Sequence, residues 1–212
     1  MGPTLWRVRD KLVALVYLHE VHVWSTLDLA EDRPRPALPP GYVMHRAGVA
    51  ELPELEDLGV DPAQSRKRLA TGAELWVIRH DDRLVYSGWV FHGYAPTVAA
   101  ARGAVALPAG VVNPEDMVTA PKHRGRGLAS AAYALIFDDL ARDGRASTII
   151  GKVPEDNRGN RRALEKSGWR EFAVVDFRRL SWRKRATVRP VPGGGDDERA
   201  RADWLAGALR SS

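Results

Sequence analysis

Pro121-Lys122-His123-Arg124-Gly125-Arg126-Gly127-Leu128-Ala129 is the stretch on which the fold turns. It follows a short strand-like run at 117–120. It opens a helix over 128–142, where Leu128, Ala131, Ala132, Leu135, Ile136 and Leu140 recur on one face. A glycine-rich turn entering a helix exposes backbone N–H groups that have no partner inside the helix. The helix macrodipole adds positive potential at the same point, and a diphosphate fits such a site. Gly125 and Gly127 let the backbone approach phosphates with no Cβ in the way, and Lys122, Arg124 and Arg126 add charge. An ordinary basic turn at a helix start is the plain alternative. A triphosphate loop needs Gly-x-x-x-x-Gly-Lys-[Ser/Thr], which is absent. A dinucleotide loop needs a third glycine where Ser130 stands.

Outward from the loop, strand-like runs at 75–79 and 84–91 flank His80-Asp81-Asp82-Arg83, a hairpin signal. A first strand is expected at 42–46. Helices are expected at 49–58 and 62–69, the second with Asp61 as cap ahead of Pro62. Residues 94–110 are rich in Ala and Gly and suit an extended excursion between strands. A strand at 146–153, a helix at 159–167 stopped by Gly168, and a last strand at 171–180 complete the pattern. Four prolines between Arg33 and Pro40 mark a linker. The expected division is therefore an N-terminal helical extension and linker at 1–40, one α/β (α+β) domain at 41–186, and a flexible tail at 187–212. Leu5, Val8, Leu12, Leu15 and Val16 share a helical face in the extension, while Val21, Val23 and Trp24 read equally as strand. The tail contains Gly193-Gly194-Gly195 and a short amphipathic segment at 200–209.

The chain has 212 residues and no cysteine, which excludes disulfides, thiolate metal sites and cysteine nucleophiles. Lys and Arg total 32 against 27 Asp and Glu, a net charge of +5. That balance points to anionic partners or simply to a solvated basic surface. No apolar run approaches the ~20 residues of a spanning helix, and 12–18 is short and flanked by charge. No signal peptide is expected, and a cytoplasmic location is. His19 and His22 stand three apart but lack a visible third ligand, so no metal is expected.

The residues carry a family likeness. Arg124-x-x-Gly127-x-Ala129 resembles the Arg/Gln-x-x-Gly-x-Gly/Ala signature of the GNAT acyltransferases. Thr119-x-Pro121 resembles the Val-x-Pro that ends the family's fourth strand. Residues 157–169, from Asn157 through Asn160, Glu165, Lys166 and Gly168 to Trp169, resemble its second signature. The likeness spans 41–180 and is sharpest over 116–169. It implies a mixed, mostly antiparallel sheet of six or seven strands flanked by helices, with splayed fourth and fifth strands. It implies acetyl-CoA as co-substrate, bound by the backbone of Met117, Val118 and Thr119 along the pantetheine. Arg124, Gly125, Arg126, Gly127, Leu128 and Ala129 would hold the diphosphate, and Asn157 and Asn160 would lie near the sulfur end. For Asn157, a helix cap is an equal alternative.

Direct acyl transfer to an amine needs a base, an oxyanion donor and an acid for the thiolate. The resemblance departs at the acid, because Leu164 stands where many relatives carry tyrosine. The base candidates are Asp116, favoured by the likeness, then Glu115 and His92. Simple alternation would put Glu115 on one face with Met117 and Thr119. The implied acceptor is a small-molecule primary amine. A protein N-terminus or lysine is the second choice, and a catalytically silent acyl-CoA-binding module is the rival class. A homodimer is left open, and nucleic acid is not expected as a partner. A basic cluster at 178–189 surrounds Trp182 and suits the 3′-phosphate of CoA, an anionic acceptor, acidic lipid or a plain solvated edge.

Overall fold

The computed structural model describes residues 17–212. The apolar stretch on which the helical expectation for the N-terminus rested lies outside them. The chain runs through β1 (Tyr17–Asp28), β2 (Tyr42–Ala47), a 3-10 segment (Val49–Leu58), α1 (Pro62–Ala70), β3 (Glu74–His80), β4 (Arg83–His92), the short β5 (Tyr94–Pro96) and β6 (Ala104–Ala106). It continues through β7 (Val111–Thr119), a 3-10 turn (Pro121–His123), α2 (Leu128–Arg142), β8 (Thr148–Pro154), α3 (Arg158–Lys166), β9 (Arg170–Leu180), β10 (Arg183–Pro190) and α4 (Asp196–Ser211). The main sheet has the strand order β10-β9-β1-β8-β7-β4-β3-β2. β10 with β9, β9 with β1, β7 with β4, β4 with β3 and β3 with β2 pair antiparallel, and β7 with β8 is parallel. The expected class holds, with eight strands where six or seven were expected.

The surplus lies in the segments read as extension and tail. Residues 17–28 are a strand, not a helix. Val21, Val23, Trp24 and Thr26 favour a pleated surface, and β1 pairs antiparallel along β9. Residues 183–190 are likewise a strand, turned back onto β9 through Ser181 at φ 55. Beyond it, α4 is a 16-residue helix in place of a flexible tail; Ala202 and Leu205 are its buried residues. Its first turn is closed by Glu198, whose carboxylate accepts from Gly195 N–H at 2.9 Å.

The chain divides into two compact units. One holds 27–94 and 107–151. In it β3 is apolar on both faces, which a strand covered from both sides requires. Leu75 and Val77 pack with Leu52, Leu55, Trp89 and Phe91, while Ile78 packs with Tyr86, Leu128 and Ala132. The second cluster brings α2, and so the loop before it, onto the sheet. The other unit holds β1 to Thr26, 95–106 and 152–212, with Phe172, Ala173, Val175 and Phe177 buried along β9.

Two irregularities of β7 shape the first unit. Its parallel ladder with β8 has only two registered pairs, Val111 with Thr148 and Val112 with Ile149. Buried Asn113 comes next, and its side-chain amide donates to Ile150 O at 2.8 Å. A side chain there occupies the width of a backbone hydrogen bond, so the ladder ends. On the other edge, Ser87 pairs with Val118 and Trp89 with Glu115, leaving Gly88 alone opposite Asp116 and Met117. This two-against-one arrangement is a β-bulge, and Asp116 takes a left-handed φ of 52 within it. A Cβ on Gly88 would lie 2.1 Å from Met117 Sδ, so any larger residue there forces the Met117 side chain to move.

Candidate functional site

The turn between β7 and α2 is open and rich in unpartnered backbone amides. Gly125 and Gly127 have φ of 74 and 76, and a Cβ on either would meet nothing within 4 Å. The first amide of α2 with a partner is Ala131, which donates to Gly127 O at 3.0 Å. Among the described residues, the N–H groups from Gly125 to Ser130 have no hydrogen-bond partner. No side chain caps this helix. Asp61 caps α1, Asn157 caps α3, and Glu198 closes the first turn of α4. α2 is therefore left with its positive end unsatisfied beside an open glycine turn. Arg124 is tied back, its Nε donating to Thr119 O at 3.1 Å, while Lys122 and Arg126 are exposed. His123 Nδ1 lies 2.9 Å from the Tyr42 hydroxyl, and its ring packs edge-on against His80. Desolvation, then the charges of Arg126 and His80, lower the pKa of His123.

The acetyltransferase (GNAT) family model matches residues 73–169. That span contains the turn, the bulged strand and α3. Over residues 73–169 the chain is similar to the GNAT acetyltransferases. No curated protein matches the chain. Solved structures share the fold at low identity. A putative GNAT-family acetyltransferase from Novosphingobium aromaticivorans is 19% identical with a TM-score of 0.52, over 81% of this chain and 64% of that one. A GCN5-related N-acetyltransferase from Kribbella flavida is 19% identical with a TM-score of 0.52, over 92% and 66%. A tandem GNAT protein from the clavulanic acid biosynthesis pathway is 15% identical with a TM-score of 0.57, over 92% and 61%. The chain thus spans about three fifths to two thirds of the length of these structures.

Within the matched span, Met117, Val118 and Thr119 occupy the end of β7 beyond its last pair with β8. Thr119 and Val118 pair with Tyr86 and Ser87 on one edge, and among the described residues no strand is registered on the opposite edge at these positions. Tyr86 donates its hydroxyl hydrogen to Met117 Sδ at 2.9 Å, and burial holds its pKa well above the usual phenol value. Asp116 is about half exposed and accepts from Arg68 Nη2 at 2.5 Å. The Arg68 guanidinium in turn lies 5.3 Å from the Trp89 ring and 5.5 Å from Phe91. Glu115, half-buried, pairs with Trp89. The bulge shifts the side-chain phase by one residue, so the simple alternation expected between Glu115 and Met117 does not carry across it.

His92 is elsewhere. It pairs with Val112, five residues from Met117 along β7, or about 16 Å at 3.3 Å per residue. Its Nε2 lies 3.1 Å from Glu74 Oε1, and Glu74 also receives Arg145. Burial would raise the pKa of Glu74, but the His92 hydrogen bond and the Arg145 charge outweigh it and leave it lowered.

The remaining expected residues belong to the other unit. Asn157 accepts from Asn160 N–H at 3.2 Å and caps α3. Leu164 is buried on that helix, with no hydroxyl to offer. Sequence reasoning passed over Lys152 there. Its ammonium donates to Pro96 O at 2.7 Å and lies 5.8 Å from the Trp24 ring. Burial pulls its pKa down to about 8, against the opposing charge of Glu20. His22 beside it is also lowered, by desolvation and then by Lys152. A lysine inside an apolar strand run, Ile149-Ile150-Gly151-Lys152-Val153, was the available signal. A cavity of about 740 Å³ in this unit is lined by α3, Trp169 and the 191–195 loop. Of its charges, Arg161 is paired with Glu171 and Arg170 with Glu198. Among the described residues there is no group of three metal-ligating side chains, and no helix is long and apolar enough to cross a membrane.

Proposed function

We propose that the protein is an acyl-CoA-dependent N-acetyltransferase that transfers acetyl from acetyl-CoA to the primary amine of a small molecule by direct attack. The observation that carries this is the uncapped N-terminus of α2, with six unpartnered amides from Gly125 to Ser130 around two left-handed glycines. That is the donor set a diphosphate needs. The free edge of β7 from Asn113 onward supplies backbone donors and acceptors for an extended amide chain such as pantetheine, by the same pairing that adds a strand to a sheet edge. Met117, Val118 and Thr119 lie along it. Asn157 and Asn160 are assigned to the sulfur end of the cofactor on the family signature, with the cap as the demonstrated role of Asn157.

The reaction joins an amine nitrogen to the thioester carbonyl carbon and releases CoA as the thiolate. A backbone N–H of bulged β7 is the proposed oxyanion donor, because the bulge turns amides away from the ladder. Asp116 is the proposed base. Arg68 holds its carboxylate in place through one oxygen and leaves the other free to take the amine proton. Glu115 is the second choice, and His92 is left out on distance. The departing thiolate takes its proton from solvent, since Leu164 replaces the hydroxyl acid.

The buried Leu164 also favours a second reading, an acyl-CoA-binding module without turnover. Thioester cleavage measured across a panel of amines separates the two. CoA release that depends on a small amine supports the transferase. Tight CoA binding with no turnover on any small amine, peptide N-terminus or lysine peptide supports the silent module.

A further inference from the structure

The hairpin of β9 and β10 carries features that acyl transfer does not use. At its tip Leu180 is 60% exposed and Trp182 77% exposed, and Tyr17 opposite Leu180 is 46% exposed. Cross-strand register places Arg178 beside Arg185, and Arg183 beside Leu180. With Arg189 two alternations further along, four arginines share a face with a single carboxylate, Asp176. Arg178 is committed to that carboxylate at 3.1 Å. Arg183 lies 5.1 Å from the Trp182 ring. Among the described residues, Lys184, Arg185 and Arg189 have no side-chain ion-pair or hydrogen-bond partner, and β10 is exposed throughout apart from half-buried Val188.

Edge strands commonly carry Lys and Arg to block pairing with other chains. That accounts for the cations of β10, an edge strand in the sheet order. It does not account for an exposed leucine and an exposed tryptophan at the turn, which increase the risk such cations reduce. We propose that this hairpin docks on an anionic lipid surface through its tip and its arginine-bearing face. Leu180 and Trp182 enter the interfacial zone, and Arg183, Arg185 and Arg189 contact lipid phosphates behind it. An amphipathic indole suits that zone. Apolar insertion with flanking cations is the combination that gives stable attachment. A nucleic acid would use the same cations and could stack on Trp182, but it gains nothing from an exposed leucine.

The test is co-sedimentation of the full chain with vesicles of phosphatidylcholine alone and with about 30% phosphatidylserine, at about 0.1 M and about 1 M salt. Binding only to the anionic vesicles, and its loss at high salt, is expected. Replacing both Arg185 and Arg189 by Gln should weaken binding about 25-fold, at roughly fivefold per cation. Leu180→Ser with Trp182→Ser should abolish what remains. Brominated lipid should quench the wild type more than Trp182→Phe, which reports insertion without relying on charge. Equal binding to both vesicle types, no binding to either, or tighter binding to single-stranded RNA with the same sensitivity to Arg185 and Arg189 would overturn the proposal. Circular dichroism confirms that each variant is folded.

Discussion

Replacing Lys152 by Met should remove a defined part of the protein's pH-dependent stability. The wild-type amine has a pKa of about 8 in the folded protein against 10.5 for the free side chain. Below about pH 8 both folded and unfolded states carry the proton, and the folded state bears the cost of the half-buried charge. As pH rises through 8, the folded state loses its proton first, while the unfolded chain keeps one until about 10.5. The unfolded state then binds more protons, so stability rises with pH across that window. A shift of about 2.5 units at 1.36 kcal/mol each sets a ceiling of about 3 kcal/mol, with about 2 kcal/mol gained by pH 9.5. The assay is urea unfolding at about pH 7 and about pH 9.5, where 2 kcal/mol moves the midpoint by roughly 1 M. The wild type should show the rise beyond whatever other groups contribute. The Met variant should lack it, although it loses the hydrogen bond to Pro96 at both pH values. An identical rise in both proteins would refute the placement of Lys152.

Further outcomes concern the site. Gly127→Ala places a Cβ in open space at φ 76. It should cost only about 1 kcal/mol of stability yet weaken CoA binding at least tenfold, as calorimetry would show; unchanged affinity would remove the loop assignment. Asp116→Asn keeps the shape and loses the base, so kcat should fall about 100-fold or more with KM for acetyl-CoA nearly constant. A matched fall in CoA affinity would make Asp116 structural. Gly88→Ala drives a Cβ into Met117 and should destabilise the protein by about 1–3 kcal/mol, read as a lower thermal midpoint. Asn157→Ala removes a cap and should cost about 1 kcal/mol; a much larger loss of activity than of stability would show that it also acts on the substrate.

The loop and α2 were legible because their signals are local. Two glycines, three cations and a 3.6-residue apolar period each point the same way within 22 residues, from Pro121 to Arg142. The β3–β4 hairpin was legible for the same reason, with a polar four-residue turn between apolar runs. The N-terminal strand was not. Its pairing with β9 joins residues some 150 apart, and Leu5 to Val16 offered a competing helical period. The last strand was hidden because β10 is exposed almost throughout and carries none of the apolar alternation that marks a half-buried strand. The bulge at Asp116 and Met117 depends on what lies across the ladder, namely Gly88. No pattern within 111–119 announces it, and with it went the facing expected for Glu115. The ion pair of Arg68 with Asp116 likewise links residues 48 apart.

The claim on which the rest depends is that unpaired amides at the start of α2 hold the diphosphate of CoA. Calorimetry of CoA against pantetheine, which lacks the diphosphate and the nucleotide, tests it directly. CoA should bind about 100-fold more tightly or better, a difference of about 3 kcal/mol, and Gly127→Ala should erase most of that margin. Equal affinity for the two, or a margin that Gly127→Ala leaves intact, would contradict it.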